Sequence, residues 1–292
     1  MQFCKYHGLG NDYLVIDPNR LSFNLKLSPK NIQLICNHHF GVGSDGIMFG
    51  PILINDKIHV KIFNPDGSET EKSGNGLRIF AQYLWDENYV KSENVEIFVK
   101  GQKVSVEIVD KSINLLNVNL GKFSFKSTSE IHATANFQNI ATASQDIINI
   151  PLNVQEALFH VTCVNVGNPH CVIFLDEISR EIAEKFGPQL ENHEIFHPNR
   201  TNVQFAKIID KNNVQIEIWE RGTGYTLASG SSSAAVVCAA HVLDLVGKKA
   251  KVHMKGGSVQ VEIRGENVLI TGTVNRIYQG NFFPDFIEKL TS

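Results

Sequence analysis

Two serine-glycine pairs, Ser73-Gly74 and Ser229-Gly230, each close a polar loop and stand immediately before an apolar helical run. The first loop runs from Asn64-Pro65-Asp66-Gly67-Ser68-Glu69 to Ser73-Gly74-Asn75-Gly76, the second from Glu220-Arg221-Gly222-Thr223-Gly224 to Ala228-Ser229-Gly230. A helix start leaves N–H groups without intrahelical acceptors and carries partial positive charge, so it attracts a carboxylate. A serine there adds a hydroxyl. It is also a preferred helix cap, and a purely structural role for both serines stays open. Further short amide or charged side chains gather in tight turns: Asn11-Asp12 after Gly8-Leu9-Gly10, Asn64, Asn75, Asn168 and His170 around Pro169, Thr201-Asn202 and Glu220-Arg221. Asn and Gly are ordinary turn formers. Taken with Arg221 and the two helix starts, the set suits a zwitterionic ligand that needs many hydrogen bonds.

Other chemistries find less support. Gly41-Val42-Gly43-Ser44-Asp45-Gly46 has the letters of a dinucleotide fingerprint, but it follows a helical pattern and precedes no helix. No phosphate-loop motif is present. None of the 11 histidines pairs with another His or with Glu at helical zinc spacing, so no metal is expected, and the adjacent His38 and His39 read as solvated or capping. With 27 basic and 30 acidic side chains the net charge is -3, which argues against a nucleic-acid partner. The absence of an apolar run of membrane length argues against a membrane partner. Cys4, Cys36, Cys163, Cys171 and Cys238 are odd in number and scattered, and they read as small buried residues of a cytoplasmic protein. The opening residues, which lack a charged segment followed by an apolar block, agree with that location.

The elements that must position these residues are mostly short strands with period-two alternation, among them 58–63, 95–99, 104–108, 113–118, 214–219, 250–254, 259–263 and 268–271. Helical patterns cover 28–36, 76–85, 178–186 and 232–245. The fold class is therefore α+β, rich in antiparallel strands. The second and fourth helices are apolar nearly all round and should be buried centrally. This predicts two pseudo-symmetric halves, residues 1–120 with 280–292 and residues 121–279, each with strands wrapped around a core helix and the site in the cleft between them. The polar stretch 122–144 reads as a junction or an exposed excursion.

The loops and turns together resemble the diaminopimelate epimerase family. The resemblance rests on Asn64 to Glu69, Ser73-Gly74-Asn75-Gly76-Leu77-Arg78, Gly167 to His170, Arg200-Thr201-Asn202-Val203, Glu220 to Gly224 and Ala228-Ser229-Gly230, with His7 to Asp12 and Phe40 to Gly46 in support. It spans essentially the whole chain in collinear order. It implies two pseudo-symmetric domains and a reaction without pyridoxal phosphate, metal or other cofactor, in which one thiolate removes the Cα proton of an amino acid and a thiol on the other face delivers one. The positions matching those thiols are Ser73 and Ser229. His170 and Glu220 match the supporting acid/base pair. Asn11, Asn64, Gly74, Asn75, Asn168, Asn202, Glu220, Arg221, Gly230 and Ser231 match the substrate contacts. A small amino-acid or carboxylate substrate is implied, and the oligomeric state is open, with a homodimer among the options.

Serine changes the energetics. A cysteine ionises near 8.5, whereas a hydroxyl lies roughly five or more units higher, a difference of the order of 7 kcal/mol. Serine can act where an adjacent base takes its proton, and His170 and Glu220 are the candidates. The leading expectation is an isomerase of the diaminopimelate epimerase type, converting LL- to meso-diaminopimelate in lysine and cell-wall precursor biosynthesis. The alternative is a non-catalytic or divergent member that binds or isomerises another small carboxylate. A double Cys→Ser form of an ordinary epimerase is a third reading, disfavoured because Tyr225 and Ser231-Ser232-Ser233 also depart from the family pattern.

Overall fold

In the computed structural model, which describes residues 2–70, 73–125, 146–155 and 157–291, the two apolar helices lie at the centre of separate units. The α-helices of the described residues are α1 (Pro29–Cys36), α2 (Gly74–Asp86), α3 (Arg180–Glu191), α4 (Gly230–Val242) and α5 (Pro284–Thr291). Every residue of α2 from Gly74 to Leu84 is buried, as is every residue of α4 from Ser232 to Ala240. At about 1.5–3 kcal/mol for each large apolar side chain, burying Leu77, Ile79, Phe80 and Leu84 supplies much of what holds α2 in place. The corresponding stretch of α4, from Ala234 to Ala240, is made of Ala, Val and Cys, so neighbouring strands approach a thinner rod.

Contacts divide the chain into Met1–Asn119 with Thr271–Ser292, and Leu120–Ile270. In the first unit, strand Gln2–Gly8 pairs antiparallel with Asn11–Ile16, which pairs parallel with Ile47–Ile54. That strand pairs antiparallel with Lys57–Phe63, which pairs parallel with Asn94–Val99 and onward antiparallel with Gln102–Asp110. In the second unit, Ala157–Asn165 pairs antiparallel with Pro169–Phe174, which pairs parallel with Asn202–Asp210. Antiparallel Asn213–Glu220, parallel Lys249–Met254 and antiparallel Gly257–Arg264 follow. The order of pairings is the same in both. The first parallel crossover carries α1 or α3 and the second carries α2 or α4, as parallel neighbours require. The fold is thus α+β and mostly sheet, with one topology used twice.

The central helices touch most strands of their own units, while α1 and α3 cover other faces. Ile32 and Ile35 of α1 pack with Phe3, Leu14 and Ile47, and Ala183 and Leu190 of α3 pack with Phe159, Val203 and Phe205.

Several boundaries differ from expectation. Helices α2 and α4 each begin two residues earlier than the apolar pattern suggests, because the serine cap sets the start. Helix α4 ends at Val242 with Leu243 as its cap, and Asp244 follows in the left-handed region at φ 56°. Helix α3 starts after its cap Ser179 and runs through Pro188 to Glu191, past the expected end at residue 186. Gly187 is needed there, since a Cβ would come within 2.4 Å of Trp219 Cγ. The strand expected from Ile113 starts at Leu115, because Asn114 turns the chain at φ 48°. Most of the polar stretch 122–144 lies outside the described residues, as do Glu71 and Lys72.

Candidate active site

Each serine of the two pairs is the N-cap of a central helix. Ser73 Oγ accepts the Gly76 N–H at 3.0 Å, and Ser229 Oγ accepts the Ser232 N–H at 3.4 Å. The first N–H groups, on Gly74 and Asn75 and on Gly230 and Ser231, keep no intrahelical acceptor. Capping and anion attraction therefore coexist at both starts.

Around Ser73, a directional chain of side chains sets the amides. Arg78 is fully buried, one turn along α2, and its Nη2 donates to Asn75 Oδ1 at 2.6 Å. Arginine can only donate, so Asn75 must present its amide nitrogen to Asn11, whose Oδ1 accepts at 3.2 Å. Asn11 Nδ2 in turn donates to Asp45 Oδ2 at 3.1 Å. A cation at one end and a carboxylate at the other thus fix both asparagines. Burial lowers the Arg78 guanidinium to about 10, and its Nε and Nη1 have no acceptor among the described residues. Burial raises Asp45 above the usual carboxylate range, against the pull of the hydrogen bonds it accepts from the Asp12 backbone and Asn11. Asn64 is spent differently: its Nδ2 donates to Ser68 Oγ inside a turn, the structural role open to any turn asparagine.

In the second unit, His170 and Asn202 are direct partners across a parallel pair of strands. His170 is 1% exposed and its Nε2 bonds Asn168 Oδ1 at 2.9 Å. Burial pushes its imidazole down to about 3, the charge of Arg221 adds to that, and the side chain of Gln204 pulls the other way. His170 is therefore neutral near pH 7. Asn202 clamps the backbone, donating to Pro169 O at 2.8 Å and accepting the Arg221 N–H at 3.0 Å. Arg221 Nη1 donates to Asn199 O, and burial with nearby Arg200 lowers its pKa. Glu220 ends its strand half-buried. Ser229 Oγ also lies 3.4 Å from Ser231 Oγ. His170 thus meets Asn168 directly and approaches α4 through Gln204, whose Nε2 donates to Ser232 Oγ at 3.0 Å.

Tyr13, Arg78, Gln204 and Glu191 are parts of this framework beyond the residues singled out in the sequence. Tyr13 donates to Ser73 Oγ at 3.1 Å. Buried Glu191 accepts from Arg200, the Trp219 indole and the Gly222 N–H, and so holds the turn that carries Glu220 and Arg221. Gln204 had a readable signal, being two residues from Asn202 on the same face of a strand. Glu191 had none, because it lies beyond the helical range expected from the sequence. All five cysteines are buried and away from both caps, and burial raises Cys4 to about 11, Cys36 and Cys163 to about 12, and Cys171 and Cys238 further.

The fold of this chain recurs in solved structures. The chain is similar to a hydroxyproline epimerase from Agrobacterium vitis, with TM-score 0.66 and 10% identity over 96% of this chain and 91% of that one. It is also similar to a probable proline racemase from Agrobacterium radiobacter K84, with TM-score 0.67 and 12% identity over 97% and 93%. At these identities the likeness shows the fold alone. Sequence goes further: the family model described as diaminopimelate epimerase matches residues 3–126 and 162–277, and the chain belongs to that family. It is 45% identical to "Diaminopimelate epimerase 2" of Nostoc sp. strain PCC 7120, covering 96% of this chain and 95% of that protein. It is 35% identical to the diaminopimelate epimerase of Carboxydothermus hydrogenoformans, covering 97% and 100%. Among the described residues no helix is long and apolar enough to cross a membrane.

Proposed function

We propose that this protein is an amino-acid epimerase whose substrate is LL-diaminopimelate and whose product is the meso form. The observation that supports this reading most is the repeated cap, a serine and a glycine opening a buried helix in each unit of a chain from this family. In the proposed reaction Ser73 serves one face of Cα and Ser229 the other. The N–H groups of the two helix starts and Arg221 hold the substrate carboxylate and the charge that develops on it. Neutral, buried His170 orients Asn168. Glu220 is left as the carboxylate able to take a proton from Ser229. Asn11 and Asn75, oriented by Arg78, and Asn64, Asn202, Gly74, Gly230 and Ser231 complete the substrate contacts.

The serines also favour a second reading, a family member that binds its ligand without turnover. One experiment separates the two: LL-diaminopimelate and a panel of L- and D-amino acids are incubated with the protein in deuterated water and read by mass and chirality. Deuterium at Cα with inversion of LL-diaminopimelate is expected. Exchange on another amino acid alone would change the substrate, and saturable binding without exchange would replace the epimerase by the binding protein.

A further inference from the structure

The hydroxyl of Ser73 is held by more donors than a cap requires. A serine oxygen has two lone pairs and one proton. The Gly76 N–H takes one lone pair at 3.0 Å, as in any N-cap, and the Tyr13 O–H takes the other at 3.1 Å. With both lone pairs occupied, Ser73 can only donate.

Tyr13 is also fixed in place. It lies 5% exposed on strand Asn11–Ile16, directly across from Tyr6. A Cβ at Gly46 would come within 2.6 Å of Tyr13 Cε1, so the ring fits against bare backbone. The phenol is aimed at the helix start before any ligand arrives.

We propose that Tyr13 is a positioning and proton-supplying residue behind Ser73, which lets a serine do what a thiol does elsewhere. The inference rests on the epimerase reading of Ser73. As the carbanion at Cα takes the Ser73 proton, a C–H bond forms and the Oγ–H bond breaks. Oγ takes the Tyr13 proton in the same movement, and the electron pair ends on the Tyr13 oxygen as phenolate. The proton removed from the other face of Cα stays on its acceptor. Water then reprotonates Tyr13 and receives the proton from that acceptor, so the cycle closes with no other reactant. The gain is in the conjugate base: an aliphatic alcohol ionises far above a phenol, and phenols in general ionise near 10, close to a thiol at about 8.5.

The test is a double-variant cycle on Cα exchange of LL-diaminopimelate in deuterated water, with the amino-acid panel alongside. Tyr13→Phe keeps the ring and removes only the hydroxyl. It should lower kcat at least about a hundredfold with little change in KM. In the Ser73→Cys background, whose thiol ionises unaided, the same change should cost at least about tenfold less. A phenol that merely tethers residue 73 costs the same in both backgrounds, and that result overturns the relay. Unchanged kcat in Tyr13→Phe also overturns it, with the epimerase reading intact. Absence of exchange in the unmodified protein on every amino acid overturns the epimerase reading and the relay with it.

Discussion

Ser73 and Ser229 occupy the same place in two copies of one topology, yet their hydroxyls are held differently. Ser73 accepts a 3.0 Å bond from Gly76 and a second from Tyr13. Ser229 accepts a 3.4 Å bond from Ser232 and exchanges a 3.4 Å contact with Ser231, in which either oxygen can donate. Around Ser229 the tighter bond goes to the backbone, where Ser233 Oγ reaches Ser229 O at 2.8 Å. One hydroxyl is saturated as an acceptor and can only give its proton. The other retains the slack to receive one. A symmetric scaffold can therefore carry an asymmetric pair, in which the neighbours that fill the lone pairs set which hydroxyl rests as the donor.

The largest effect belongs to the hydroxyls themselves. Ser73→Ala and Ser229→Ala should each slow epimerisation by two to four orders of magnitude, about 3–5 kcal/mol of barrier. The comparison sharpens in the exchange pattern. Ser73→Ala leaves the acceptor in place, so one epimer should still wash deuterium into Cα without inversion, while Ser229→Ala should abolish that too. Equal residual exchange in the two variants, read by mass on each pure epimer, would remove the directional assignment.

The next effect is confined to the unit that carries Ser229. His170 ionises at about 3 when folded, against about 6.5 unfolded, so between those values the unfolded chain binds the extra proton. Its contribution to stability is constant above 6.5 and is lost as pH falls toward 3, by about 4 kcal/mol at pH 3.5. Urea unfolding at pH 7 and pH 3.5 should show a smaller difference in His170→Gln than in the unmodified chain. An unchanged difference would mean that His170 is charged or hydrated in the fold.

A third effect falls on binding. Arg221→Ala removes a charged partner for the substrate carboxylate and should raise KM roughly ten- to hundredfold with a smaller change in kcat. If KM stays put, the carboxylate is held by the helix starts alone, and the two caps are more alike in function than their hydrogen bonds suggest.

The sequence carries the doubled scheme well, because a polar loop, a serine-glycine pair and an apolar helix are local patterns, and each serine caps where the pattern places it. Helix ends are less legible. Helix α3 crosses Gly187-Pro188 because Trp219, distant in sequence, packs onto the bare glycine. The site residues are legible as types, but their duties depend on tertiary partners. Asn202 reads as a ligand contact, yet its amide clamps two backbone groups. His170 reads as a base, but burial that no local pattern signals makes it a poor one. Tyr13 looks like one more alternating strand residue until Ser73, sixty positions away, is seen against its hydroxyl.

The smallest effect tests the comparison without any substrate. A serine cap contributes about 0.5–2 kcal/mol, and the bond weakens as it lengthens. Ser73→Ala should therefore cost more than Ser229→Ala in denaturant unfolding, near about 1.5 against about 0.5 kcal/mol. Aspartate is as good a cap as serine but has no proton to give when ionised. Ser73→Asp should accordingly recover most of the stability lost in Ser73→Ala and none of the epimerisation. Recovery of both would show that Ser73 acts through the helix start, leaving proton delivery to another group; recovery of stability alone separates the cap from the donor at a single atom.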